Sequence, residues 1–227
     1  MPWHPLERTA LADALSAAGP GAPTRCEGWR SEHLAAHIVR REGSPGSAAG
    51  IVVPWLAART ERDVQKLGDR AATPDGYAAI VERVRSGPPP ASPMRWAGDA
   101  VQLVELFVHT EDVRRGAGRG SALPRTLPPG EQDALWAALR RSARLAYRDS
   151  PVGVVLTDGS RTLRARRPPR EGDSPGTGRD LPTGRDVVVR GQVGELLLHA
   201  FGRSAGSGVT VEGPRDAVAA LERVRRS

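Results

Sequence analysis

The sequence has 227 residues, which is enough for one domain or two small ones. Lys and Arg number 33 against 26 Asp and Glu, for a formal net charge of +7, and the 39% of hydrophobic residues can form a packed core. No run of about 18 apolar residues occurs, which excludes a transmembrane helix. Because Cys26 is the only cysteine, an intrachain disulfide and a cysteine-based zinc finger are excluded too. The first residues lack a secretory signal pattern, so we expect a cytoplasmic protein.

The positive charge does not predict a nucleic-acid partner. Acidic residues are interleaved with the arginines, and aromatic residues make up 4% of the chain. Nucleic-acid binding normally needs clustered charge with a groove-reading motif or stacking aromatics. The densest basic stretch, residues 161–167 (RTLRARR), is more typical of a solvated strand edge. The oligomeric state is left open by the sequence.

Residues 1–149 are predicted to form a helical bundle. Amphipathic segments alternate with Gly- and Pro-rich stops such as Gly19-Pro20, Gly87 and Gly116. Helices of this length joined by short polar loops favour an antiparallel bundle. The predicted helices cover residues 5–18, 31–42, 51–70, 74–86, 98–115 and 129–148.

The pattern changes after residue 149, so a second, small α+β domain is predicted over residues 150–227. β-Branched runs indicate strands, and Asp158-Gly159 is typical of a hairpin turn. The Pro-, Gly- and charge-rich segment 167–184 is predicted to be a loop. The strands are expected at 152–157, 161–165, 186–190 and 209–212, and the helices at 193–201 and 214–226.

The fifth predicted helix carries a Glu-x-x-x-His pair inside an apolar stripe. Val101, Val104 and Val108 recur at helical spacing, with Glu105 among them and His109 one turn later on the same face. A carboxylate in an apolar stripe is costly unless it is paired or binds a metal. The same spacing is also typical of an ordinary Glu–His pair on a helix surface.

The second predicted helix carries two histidines, His33 and His37, one turn apart. His37 lies between Leu34 and Ile38 on the apolar side of the helix. The spacing can chelate a metal, and an amphipathic helix also produces it by chance. The zinc-protease pattern His-Glu-x-x-His is not met, because Leu34 follows His33, so a metalloprotease is rejected.

Together the two helices can supply a three-ligand metal site. A bundle can place His37 against Glu105 and His109, leaving at least one position open for water or substrate, as catalytic sites do. Two imidazoles and a carboxylate suit Zn²⁺, while Fe²⁺ and Ni²⁺ are also compatible.

The sequence resembles the DinB-like superfamily, in the branch of mycothiol-dependent maleylpyruvate isomerases, and within it an actinobacterial subgroup described only as metal-binding. The resemblance extends in order over nearly the whole chain. It departs at Gln102-Leu103, where relatives have Asn-Thr, which affects contacts from that turn but not the ligands. The matching stretches are residues 24–29 (TRCEGW), 34–37 (LAAH), 104–115 (VELFVHTEDVRR), 150–156 (SPVGVVL) and 194–203 (GELLLHAFGR).

The resemblance implies a fold class of an N-terminal four-helix DinB-type bundle followed by a small sterol-carrier-like α+β domain. It also implies that His37, Glu105 and His109 are the metal ligands, that His33 is not one, and that Arg203 faces the site.

The chemistry expected from these residues uses a metal-bound thiol. Mycothiol is the implied cosubstrate, Zn²⁺ lowers its pKa, and a small electrophile is the substrate. Arg203 is the candidate contact for substrate or thiol, and Asp112 the candidate partner that orients His109. Cys26 is expected to be a small buried residue and not the nucleophile. The alternative is a non-catalytic metal-binding protein with an inherited site.

Overall fold

The computed structural model describes residues 2–43, 54–90, 92–96, 99–116, 122–168 and 186–226. The chain forms two compact units, Met1–Ala122 and Leu123–Ser227. The first unit is helical. Its elements are α1 (His4–Ala18), α2 (Ser31–Gly43), α3 (Pro54–Arg70), α4 (Pro74–Ser86), a 3₁₀ helix (Pro93–Trp96) and α5 (Asp99–Arg114).

The helix ends of the first unit follow from local sequence chemistry. The Thr73 side chain accepts a hydrogen bond from the Gly76 amide at the start of α4, where Pro74 takes the first helical position. The helix ends at Gly87, whose φ of 77° lies in the left-handed region that favours glycine. Helix α1 likewise has a proline in its first turn and ends at Gly19, with φ 75°.

Helix α1 packs against both α4 and α5, while α2 packs against α3 and α4. The buried Arg8 guanidinium of α1 hydrogen-bonds both Glu42 carboxylate oxygens at the end of α2 and the Val84 carbonyl of α4, at 2.5–3.0 Å. A buried ion pair whose donors are satisfied in this way fixes the relative register of three helices. The apolar core between them includes Leu11, Leu15, Leu34, Ile38, Ile80, Val84 and Leu106, each at most 3% exposed.

The second unit combines helices with a four-stranded sheet. Its elements are α6 (Pro129–Ala146), β1 (Gly153–Thr157), β2 (Thr162–Arg166), β3 (Asp186–Arg190), α7 (Val193–Ala200), β4 (Thr210–Glu212) and α8 (Arg215–Arg226). The strand order in the sheet is β2-β1-β3-β4. β1 pairs antiparallel with β2 through the hairpin at Asp158-Gly159 and parallel with β3, and β3 pairs antiparallel with β4. Helix α6 packs against α7 and β2.

The observed elements agree closely with the predicted ones, with two differences. The compact units divide between Ala122 and Leu123, whereas the predicted boundary follows residue 149, because α6 packs within the second unit. The predicted apolar stripe of α5 is wrong at Val101, which is 58% exposed. Most of the loop predicted at 167–184 lies outside the described residues. None of the described helices is long and apolar enough to cross a membrane.

Candidate functional site

Helices α2 and α5 bring the three predicted metal ligands together. The Nε2 atom of His37 lies 3.1 Å from Oε1 of Glu105, and Nε2 of His109 lies 3.3 Å from the same oxygen. One ligand atom from each residue falls within 4.8 Å of the others, so the three could hold one metal ion. The rings of His37 and His109 meet edge to face, with centroids 5.2 Å apart. The i, i+4 spacing on α5 accounts for one contact, and the packing of α2 supplies the other.

Glu105 lies among two histidines and an arginine. Burial alone would raise its pKa, but hydrogen bonds from His109 and His37, together with the charges of His109 and Arg41, outweigh burial and hold the pKa of this carboxyl well below its usual range. Nε of Arg41 lies 3.3 Å from Oε1 of Glu105. The carboxylate is therefore ionised at neutral pH, as a metal ligand must be.

The far side of the His109 ring is held by Asp112. The Nδ1 atom of His109 lies 3.0 Å from Oδ2 of Asp112, which is fully buried. Burial alone would lower the pKa of His109, but hydrogen bonds with Asp112, Cys26 and Glu105 raise it well above 6.5. With Nδ1–H donated to Asp112, Nε2 is the nitrogen that faces Glu105, and it would bind a metal on releasing its own proton.

Cys26 contacts this pair and is half-buried, not fully buried as the sequence suggested. Its thiol donates a hydrogen bond to Oδ2 of Asp112 at 3.2 Å, and its Sγ lies 3.8 Å from Nδ1 of His109. Cys26, His109 and Asp112 form a second group among the described residues that could hold a metal. This group uses a fully buried carboxylate. The His37 and Glu105 side chains are each 25% exposed, so two of the three residues of the first group are in contact with solvent.

The loop between α1 and α2 is fastened to the end of α5 next to the site. The Arg25 amide donates to the Asp112 carbonyl at 3.0 Å. Gly116 approaches the loop so closely that a Cβ there would lie 1.9 Å from the Pro23 carbonyl oxygen. This contact requires glycine and places Cys26 beside Asp112.

His33, the other histidine of α2, lies away from the ligand group. Its Nε2 contacts Oδ1 of Asp69 on α3 at 3.3 Å, and its ring packs so tightly on Gly68 that a Cβ there would lie 2.5 Å from the ring. Neither group of potential metal ligands includes it. The structure thus places the two histidines of α2 in different environments, although the sequence spaces them by one turn.

Arg203 follows α7 in the second unit. Its Nη1 atom donates to the Phe201 carbonyl at 2.8 Å, which is a local contact at the C-terminal end of α7. The expected role of Arg203 in holding substrate or thiol therefore stays a prediction.

Two neighbours of the ligands were missed by the sequence analysis. Arg41 contacts Glu105, and the Trp29 ring packs against His37 with centroids 4.9 Å apart. The Nε1–H group of Trp29 donates to Glu61 at 2.9 Å, which holds the indole in place. The signal for Arg41 was its position four residues after His37, on the same helix face. The contact of Trp29 depends on loop geometry that no sequence pattern indicates.

Two solved structures resemble the chain over 92% of its length and 90% of theirs. One is a crystal structure of the mycothiol-dependent maleylpyruvate isomerase, with 19% sequence identity and a TM-score of 0.53. The other is a histidine-to-alanine mutant of a mycothiol-dependent maleylpyruvate isomerase, with 17% identity and a TM-score of 0.48. At this identity the first likeness shows the fold. No curated protein matches the sequence significantly.

The sequence itself matches a family model over the unit that carries the ligand group. Residues 7–123 match the mycothiol maleylpyruvate isomerase N-terminal domain. The matched segment runs from within α1 to beyond the end of α5 and includes all three predicted ligands. Since it covers more than half of the 227 residues, the chain belongs to the mycothiol maleylpyruvate isomerase N-terminal domain family.

Proposed function

We propose that this protein is a metal-activated, thiol-dependent isomerase or S-transferase that acts on a small electrophile, with mycothiol as the thiol cosubstrate. The observation that carries the proposal is the convergence of His37, Glu105 and His109, whose ligand atoms lie within 4.8 Å of one another. Membership of the mycothiol maleylpyruvate isomerase family supports the choice of thiol and of reaction class. The proposed partners are therefore two small molecules and no nucleic acid.

The donor set fits a divalent ion. Zn²⁺ binds imidazole nitrogen and carboxylate oxygen at about 2.0–2.2 Å, so neighbouring ligands of a tetrahedral site lie roughly 3.4 Å apart. The observed Nε2 to Oε1 distances of 3.1 and 3.3 Å match this spacing. Zn²⁺ is the proposed ion, and Ni²⁺ and Fe²⁺ suit the same ligands. Bound there, Zn²⁺ would supply Lewis acidity that lowers the pKa of a coordinated thiol.

Neighbouring residues of the chain would position the proposed metal ligands. Asp112 accepts from Nδ1 of His109 and fixes the ring so that Nε2 faces the ion. The Trp29 ring covers one side of His37. Arg203, in the second unit, is proposed to hold a carboxylate of the substrate or thiol as a two-pronged donor.

We extend the proposal to the fold family of each unit and to the cellular location of the protein. We assign the first unit to the DinB-type four-helix bundles and the small sheet unit to the sterol-carrier-like domains. Because mycothiol is the proposed cosubstrate, we also propose a cytoplasmic location and an actinobacterial origin.

The test is turnover by the metal-loaded protein. We expect Zn²⁺-loaded protein to consume maleylpyruvate, or another electrophile from a panel of epoxides and monobromobimane, only when mycothiol is present. His37→Ala should abolish this activity together with metal uptake. His33→Ala is the matched control. It also removes a histidine from α2, but His33 contacts Asp69 and not the proposed ligands. Full metal occupancy without turnover on any electrophile would favour the alternative, a non-catalytic metal-binding protein.

A further inference from the structure

A permanent positive charge adjoins the ligand group. Arg41 lies one turn after His37 on α2, and its Nε atom is 3.3 Å from Oε1 of Glu105. That oxygen is the same one that His37 and His109 contact. The Arg41 side chain is 20% exposed, and the side chains of His37 and Glu105 are each 25% exposed, so solvent reaches all three.

The charges at this place do not cancel when a divalent ion binds. Glu105 is the one carboxylate among the three proposed ligands, and Asp112 is a second carboxylate that contacts His109. A divalent ion and the Arg41 guanidinium would therefore place three positive charges next to two negative charges, an excess of one. A site with this excess attracts an anionic ligand, and a guanidinium recognises a carboxylate with particular strength.

We propose that Arg41 is a specificity-determining residue that binds a carboxylate of the substrate beside the metal. The inference rests on the proposed function, because it assigns the substrate class of the same site. It differs from the role assigned to Arg203, which lies in the other unit of the chain. Arg41 makes the site selective for small acids over neutral electrophiles of the same shape.

The neighbouring arginine provides a matched control. Arg40 is on the same helix, but its Nη2 atom pairs with Oδ2 of Asp63 on α3 at 2.7 Å. Arg40→Gln and Arg41→Gln remove the same charge from adjacent positions, and only the second removes it from the ligand group. Both substitutions keep a polar side chain of similar width, and circular dichroism checks that each variant is folded.

The experiment measures the binding of maleate, a small dicarboxylate, to the Zn²⁺-loaded protein by titration calorimetry. We expect Arg41→Gln to raise the dissociation constant at least about tenfold, as the loss of a charge-assisted hydrogen bond does. Arg40→Gln should change it less than about twofold. Maleamide, the neutral diamide of the same shape, should bind wild type and Arg41→Gln equally. Zn²⁺ content, measured on the same samples, should remain at the wild-type level in both variants.

Other results would overturn either the role of Arg41 or the proposed function, and the two cases can be distinguished. Unchanged maleate binding by Arg41→Gln with full Zn²⁺ content removes the inference and leaves the proposed function standing. Equal weakening by Arg40→Gln also removes it, because the effect would then come from overall charge. A wild-type protein that takes up no Zn²⁺ removes the proposed function, and the inference with it.

Discussion

Each compact unit contains a buried histidine whose pKa is shifted. The pKa is raised in the first unit and lowered in the second. His109 in the first unit is 9% exposed and lies between two carboxylates, Asp112 at 3.0 Å and Glu105 at 3.3 Å. His199 in the second unit is 3% exposed, and its neighbours are a phenol and a guanidinium. Its Nδ1 atom is 2.6 Å from the Tyr147 hydroxyl, and Arg225 lies over the Tyr147 ring.

The neighbouring side chains account for the difference between the two pKa values, because burial lowers the pKa of both rings. Burial lowers the pKa of either histidine, but the carboxylates around His109 reverse that effect and raise its pKa. No carboxylate contacts His199 among the described residues, and burial with the charge of Arg225 lowers its pKa to about 4. His199 stays neutral in the folded protein, so the Tyr147–His199–Arg225 group is built for packing. The anionic surroundings of His109 are those that a cation requires.

The largest effect on stability is expected from Arg225, which joins three helix ends in the second unit. Its guanidinium donates to the carbonyls of Ala146, His199 and Ala200 at 2.7–3.0 Å. Arg225→Ala should lower the free energy of unfolding by about 3 kcal/mol, because these carbonyls lose their donors and the Tyr147 ring loses a cation. Urea unfolding measures the change. Arg223→Ala, an exposed position on α8, should change it by less than about 0.5 kcal/mol. Equal effects of the two variants would contradict the assigned role.

A pH dependence of stability is expected from His199. Its pKa is about 4 when folded and near 6.5 when unfolded, so the unfolded chain binds more protons between these values. Stability is therefore complete above pH 6.5 and falls as the pH drops towards 4, by up to about 3 kcal/mol. Urea unfolding at pH 7, 5.5 and 4 measures the fall. His199→Gln should remove this fall of about 3 kcal/mol between pH 7 and 4, whereas an unchanged fall would show that other groups cause it.

A smaller effect is expected from Asp112, which contacts a proposed ligand without being one. Asp112→Ala should weaken Zn²⁺ binding about 10- to 100-fold, because His109 loses the partner that orients its ring. Asp112→Asn keeps an acceptor oxygen and should weaken it less. Competition with a chromophoric chelator measures both constants. Wild-type affinity in Asp112→Ala would show that packing alone orients His109.

Much of the fold could be predicted because helix ends carry local signals. Pro74 and Gly87 bound α4 at the residues that the sequence indicates, and β3 covers the predicted residues 186–190. Periodicity shows that a helix has a buried face, but it does not show which neighbours cover each turn. Val101 therefore continues the apolar spacing of α5 and yet is exposed. Helix α6 belongs to the second unit because it packs against α7 and β2, which follow it in the chain, and periodicity does not show this packing either.

The candidate site could be predicted in part, for a related reason. Glu105 and His109 are neighbours by helix spacing alone, so their contact needs no tertiary information. The approach of His37, and not His33, depends on how α2 is rotated against α3 and α5, which the sequence spacing leaves open. Arg41 shares the face of His37, but arginines are so frequent in this chain that its position alone did not distinguish it.

The most direct test of the account is the zinc content of purified protein, measured by elemental analysis after loading and desalting. We expect close to one Zn²⁺ per chain in wild type and in His33→Ala. His37→Ala, Glu105→Ala and His109→Ala should each lose nearly all of it, since each removes one of three ligands. The account would be contradicted if Glu105→Ala stayed loaded while His33→Ala lost its zinc.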